Sequence, residues 1–290
     1  MNKAAAGTPS APAREPMSRE RNIQRRVAWV LTAALTLLAS GAGIASPGIY
    51  SGLIEEPYLP GAFSQDAMSL GAALALLALA WAAGGSSPKL EIIVLGLLGY
   101  LAYAYGIYII ERVYNWLYLV YMAIFSIAFW ALVYQVAALC RGTARVHLPK
   151  RVRLASAAGA LLQPLMFYPL WIGMLVPLMA ARQKIETIYS VFILDLCFIM
   201  PAFLILAVAA FRGRTPGVLL LPAAYVLGFA LILSLAAAEP AKALFGARFD
   251  PAAFWSWLAL SLLFLVLGAL HLSRLRIVQV QVRGKGSQGG

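Results

Sequence analysis

The side chains able to do chemistry in this 290-residue chain are carboxylates, tyrosines and one asparagine. The sharpest of them is Asp195, the only charge in the apolar run Thr187–Phe211. About eight residues into a helix rising ~1.5 Å per residue, it lies roughly 12 Å below the helix end. An acid at such depth costs about 2.5–3.5 kcal/mol on insertion scales, so it faces a bundle interior or a wet cavity. Pro201 follows six residues later and cannot donate to the Cys197 carbonyl, so a kink is expected beside the acid. An acid next to a broken helical ladder suits a ligand or a proton. Pairing with Arg112 or Arg182 is the structural alternative.

A second set lies upstream. Tyr100, Tyr103 and Glu111 share one helical sector; Tyr105, Tyr108 and Arg112 share another. After a short connection through Asn115, Tyr114, Tyr118 and Tyr121 are expected on one face of the next helix. With Asp66 at similar depth or just above, these groups could border one outward-opening cavity. The candidate binding residues are therefore Asp195, Glu111, Tyr103, Asn115, Tyr121 and Asp66. The bland reading of the tyrosines is an interfacial aromatic belt. No catalytic residue, cofactor or metal is assigned: His-Glu-x-x-His, Gly-x-Ser-x-Gly and phosphate-binding glycine loops are absent. His147 and His271 are expected in solvated positions at a membrane edge, and Cys140 and Cys197 as packing residues.

The elements that position these groups follow from composition. The chain is 62% hydrophobic and 12% charged, with mean hydropathy +0.81, against about 45–50% apolar and about 25% charged in soluble domains. Such a chain needs a bilayer as solvent. Crossing it takes ~20 apolar residues, and the intervals between charges supply eight runs, near 27–46, 67–85, 91–110, 116–139, 155–180, 188–211, 217–238 and 253–272. They are apolar on every face, which excludes a β-barrel. The fifth run holds Pro164, Pro169, Pro177 and, near its middle, Gln163; Gly96, Gly99, Ala102 and Gly106 form a ridge of small residues on the third.

Alternating the connections between two sides puts eighteen basic and three acidic residues on one side, five basic and seven acidic on the other. The +15 side is expected to be cytoplasmic, with both termini on it. The net charge of +12 then points to anionic lipid headgroups at that face rather than to nucleic acid. The expected fold is an all-α integral membrane bundle of eight transmembrane helices over 26–273. A disordered basic cytoplasmic tail is expected at 1–25 and a flexible one at 274–290, where Ile277–Val282 alternates like a strand without an evident partner. The first run reads as a retained span rather than a cleaved leader. A short helix or lid is expected within 47–66.

Gln65-Asp66, Gly96-Leu97-Leu98-Gly99-Tyr100, Tyr103-Ala104-Tyr105-Gly106, Asn115-Trp116-Leu117-Tyr118 with Tyr121, Leu194-Asp195, Pro201 and Arg212-Gly213-Arg214 resemble a group of uncharacterised bacterial multi-pass inner-membrane proteins. The resemblance implies a helical bundle in a bacterial cytoplasmic membrane, and that group has no assigned activity. From the residues themselves, the leading expectation is a non-enzymatic protein binding or moving a small solute or proton around Asp195. The alternatives are a membrane enzyme acting on a lipid-linked substrate, with Glu55, Asp66 or Glu111 as acid or base, and a scaffold subunit of a membrane complex.

Overall fold

The computed structural model describes residues 16–82, 87–184 and 188–279. Eight of its helical stretches are long and apolar enough to cross a membrane. They are α1 (Pro16–Ala45), α2 (Leu59–Ala82), α3 (Pro88–Ile110), α4 (Tyr118–Gly142), α5 with α6 (Lys150–Ala160 and Leu162–Ala181), α7 with α8 (Tyr189–Leu194 and Met200–Phe211), α9 (Thr215–Ala241) and α10 (Pro251–Arg274). Large apolar side chains such as Trp81, Leu119, Met179 and Ile205 cover the outside, a surface suited to lipid.

Two cores build the bundle. One gathers side chains from α1, α2, α3 and α4, the other from α5, α6, α8, α9 and α10 with Ile92 and Leu95 of α3. The seam between them is the parallel pair α3 and α9, which are 72% and 56% buried, against 11% for α10. The small-residue ridge makes that seam. A Cβ at Gly96 would strike Val226 and lie 2.7 Å from the Ala223 carbonyl, and one at Gly99 would come within 2.8 Å of Leu227. Gly106 instead faces Leu194 and Phe125, so the ridge serves two neighbours rather than one.

Polar clasps fix the two ends. Arg25 pairs with Glu91 at 2.9 Å, and Trp29 Nε1 donates to Gln135 Oε1 (3.0 Å), whose amide donates to the Glu91 carbonyl (3.2 Å). This joins α1, α3 and α4. At the opposite end Lys242 pairs with Glu239 at 2.8 Å, and Glu239 also accepts from the Asp250 N–H at 3.1 Å.

Several boundaries differ from expectation, each for a local reason. Helix α1 starts at Pro16, inside the stretch expected to be a disordered tail, with Arg25 drawn into the bundle by Glu91; residues 1–15 of that tail lie outside the described residues. The expected flexible C-terminal tail contains β2 (Arg276–Gln279), which pairs antiparallel with β1 (Thr143–His147) from the basic connection after α4; the rest of that tail, 280–290, lies outside the described residues. His271 is fully buried rather than solvated, its Nε2 donating to the Val218 carbonyl at 2.8 Å. The fifth span breaks at Leu161, because Pro164 has no N–H for the Ala160 carbonyl. The second span begins at Leu59 rather than residue 67, so Asp66 is a helical, buried acid, and Asp195 is not the only carboxylate within a span. Residues 47–50 and 56–58 form two single 3₁₀ turns ahead of it.

The seam gives a test. Gly96→Leu should lower stability by about 1–3 kcal/mol through overpacking. Gly41→Ala, where a Cβ meets nothing within 4 Å, should raise it by about 0.5–1 kcal/mol. Thermal unfolding in mild detergent reads both.

Candidate functional site

The break in the sixth span sets the site. Between α7 and α8, Asp195–Ile199 forms one π turn, and the Met200 N–H donates to the Asp195 carbonyl five residues back. Pro201 is the reason: an N–H missing from the ladder is accommodated by widening the turn instead of by a simple kink. Asp195 opens that turn, six residues after the start of the span, ~9 Å below its end.

Asp195 is 5% exposed. Tyr103 Oη donates to Oδ1 at 2.9 Å and Trp171 Nε1 to Oδ2 at 2.7 Å. Tyr103 comes from α3 and Trp171 from α6, so the acid clasps the two halves together. Arg112 and Arg182 do not reach it: among the described residues no cation lies within salt-bridge distance of Asp195. Both bonds come from neutral donors, and an indole N–H can only donate.

Around this clasp lies a cavity of about 1330 Å³, bounded by the start of α2, the ends of α3 and α9, α6, Lys184, residues of 188–195 and Trp257 of α10. It exceeds the ~300–1,000 Å³ usual for small-molecule sites. Exposed Glu55, Glu56 and Lys184 stand at its mouth, so it reaches solvent. Tyr100 lies at its floor, ten residues before the end of α3, about 15 Å down. Gln163, 2% exposed, borders the same cavity from the start of α6, two turns before Trp171, its Oε1 enclosed and without a partner among the described residues.

The six candidate residues fall into two groups. Tyr103, Glu111 and Asp195 line the cavity. Glu111 is occupied at the rim, accepting from the Ser190 N–H (2.9 Å) and Oγ (2.5 Å) at the start of α7, while Tyr189 Oη bonds the Ile110 carbonyl. Asp66, Asn115 and Tyr121 lie outside the cavity wall in a closed cluster. Asp66, 1% exposed, accepts from Tyr50 Oη at 2.6 Å and Tyr108 Oη at 3.1 Å. Tyr108 stacks on Tyr50 (5.6 Å) and packs against Tyr105 and Tyr121 (6.0 and 5.0 Å between centroids). Asn115 donates to Tyr121 Oη at 3.0 Å, and its own oxygen accepts from the Leu117 N–H at 3.0 Å. Burial first, and the neighbouring Asp66 carboxylate second, push the Tyr50 phenol well above its usual range, so it remains a donor. On α1, Gly43 leaves the space this needs, since a Cβ there would run into the Asp66 carboxylate and lie 2.7 Å from Tyr50 Oη. Tyr108 alone belongs to both groups, its ring lining the cavity while its hydroxyl serves Asp66.

Tyr114 precedes α4, which begins only at Tyr118, so it shares no helical face with Tyr121; its ring still meets Tyr118 edge-on at 4.7 Å, but it is 64% exposed whereas Tyr121 is fully buried. Sequence reasoning missed Trp171 and Tyr50. Trp171 carried a signal: an indole in mid-span, away from an interfacial belt, needs a partner for its N–H. Tyr50 carried none, sitting in an irregular stretch 16 residues before the acid it serves.

No family model, curated protein or solved structure matches the chain.

The cavity predicts a labelling pattern. In a background with Cys140 and Cys197 replaced by Ala, Ile107→Cys, on the cavity wall, should react with a small water-soluble methanethiosulfonate. Ile124→Cys, fully buried in the first core, should stay unmodified by intact mass spectrometry.

Proposed function

We propose that this chain is a multi-pass protein of a bacterial cytoplasmic membrane, with both termini cytoplasmic, that binds and moves a small solute through the cavity around Asp195. One observation carries the reading: a buried carboxylate, met by two neutral donors and, among the described residues, no cation, lines a cavity that reaches solvent. A purely structural ion pair would have closed that space. Mouth residues Glu55, Glu111 and Lys184 lie in the connections assigned to the outer, net-negative side, so the cavity opens outward. The basic connections, including the β1–β2 strand pair, then meet the anionic headgroups of the inner leaflet.

The enzyme alternative needs Glu55, Asp66 and Glu111 to converge. Asp66 is enclosed by tyrosines and Glu111 is occupied by Ser190, which favours binding over acid–base catalysis. A scaffold role would draw on none of the groups around the cavity.

The test is solute-dependent thermal stability of the full chain in nanodiscs, across sugars, amino acids, amines and carboxylates. A ligand at 100 times its Kd adds about 2.7 kcal/mol, a shift of several degrees, and Asp195→Asn should abolish it. A panel without any shift, or a shift unchanged in Asp195→Asn, overturns the proposal. Flux into proteoliposomes should follow the same dependence on Asp195.

A further inference from the structure

Resting on the reading that the basic face meets anionic headgroups, we infer that this face holds one built phosphate site. Arg153 receives the phosphate between the start of α5 and the α8–α9 connection. The argument begins with a charge that cannot be removed, since a guanidinium stays protonated in proteins. Arg153 is half-buried in the first turn of α5. Its end lies over the turn Arg212-Gly213-Arg214: a Cβ at Gly213 would run into Nη1 and lie 3.3 Å from Cζ. Gly213, at φ +69°, therefore takes the left-handed turn and leaves the space that the guanidinium fills.

The protein gives this group nothing to pair with. Among the described residues no carboxylate lies within salt-bridge distance of Arg153, and its enclosed Nε has no acceptor. An arginine here would ordinarily serve by capping the end of α8. Those carbonyls are already taken by the backbone: Val208 by the Arg212 N–H (3.1 Å), Ala209 by the Arg214 N–H (2.9 Å) and Ala210 by the Gly213 N–H (2.9 Å). The Pro149 carbonyl accepts from the Arg153 N–H itself (3.0 Å), and the Arg214 carbonyl from the Val218 N–H (3.1 Å). Unlike Nε, Nη1 and Nη2 are not enclosed. The stem is packed, and the outer edge of the fork stays open.

The surroundings call for an anion. The connections 141–153 and 212–214 hold seven Lys and Arg and no Asp or Glu. Glu91, at the same end of the bundle, is held by Arg25 at 2.9 Å. Like charges gathered in this way repel one another until an anion joins them. Two parallel N–H donors on one edge match a phosphate, which still has oxygens left for the exposed Arg212 or Arg214. At a membrane surface that phosphate belongs to a lipid headgroup or to a soluble phosphate ester, and basic pockets between spans are where headgroup phosphates are recognised.

Native mass spectrometry of the full chain in mild detergent tests the site with phosphatidylglycerol and phosphatidylcholine of the same acyl chains. The first phosphatidylglycerol should bind at least about tenfold more tightly than the first phosphatidylcholine, the worth of one charge-assisted pair. Arg153→Lys keeps the charge but loses the fork, and should weaken that first lipid several-fold. Arg151→Gln removes a charge from an exposed neighbour and should weaken it less. If Arg153→Lys binds phosphatidylglycerol as tightly as the wild type, or Arg151→Gln weakens it as much, the site falls and general headgroup contact stands. If the two lipids bind the wild type equally, both fall. Inorganic phosphate and glycerol 3-phosphate then name the source. Thermal stabilisation of the wild type by either, lost in Arg153→Lys, assigns the site to a soluble phosphate; its absence beside tight phosphatidylglycerol assigns it to a headgroup, and each result upholds the phosphate site.

Discussion

A carboxylate inside a hydrocarbon slab has to be met by hydrogen-bond donors or by positive charge, and the interior of this protein is arranged around two of them. Asp66 and Asp195 each accept from two aromatic donors, and among the described residues neither pairs with a cation. The similarity stops there. The donors of Asp66 come from the α1–α2 connection and α3, within one half of the bundle, and close that half around a packed set of tyrosine rings. The donors of Asp195 come from α3 and α6, one on either side of the seam, so its carboxylate joins the halves without filling the space between them. One acid completes a core and the other stands beside a cavity.

Two prolines make the second arrangement attainable. Pro164 ends α5 at Leu161, and α6 restarts with Gln163 and, two turns later, Trp171 turned toward the seam. Pro201 forces the widened turn that Asp195 opens. Neither irregularity alone delivers the geometry: the first places the indole donor and the orphan amide, and the second places the acceptor. Interrupted helices at membrane depth are tolerated where they border protein or a wet cavity, and here both interruptions lie against the same one.

The span count was legible in the sequence, because it depends on one-dimensional spacing, apolar runs near 20 residues. Asp195 was legible for the same reason, as an acid where hydrocarbon was expected. Its partners were not. Trp171 and Tyr103 meet it across sequence separations of 24 and 92 residues, which no local pattern encodes. Asp66 was placed near the others at a shared cavity, yet Tyr108 stands between. Periodicity correctly put Tyr105 and Tyr108 in one sector, but could not say which side of α3 that sector would face. The pairing of β1 with β2 was illegible likewise, since an alternating segment shows its own period and not its partner.

The shape of the cavity follows from how α3 and α9 share their lengths. The helices run parallel from the end that carries the β1–β2 pair, and there Gly96 and Gly99 let the backbone of α9 come close, with Ala223, Val226 and Leu227 against them. One and two turns further on, the facing residues are Tyr103 and Ile107 on α3 and Leu231, Ser234 and Leu235 on α9. Larger side chains take over from glycine along α3, so the close backbone contact ends where the cavity lining begins, and Glu55, Glu111 and Lys184 border its solvent end. Asp195 meets Tyr103 one turn beyond Gly99, so its carboxylate bridges the halves where close backbone contact has given way to larger side chains.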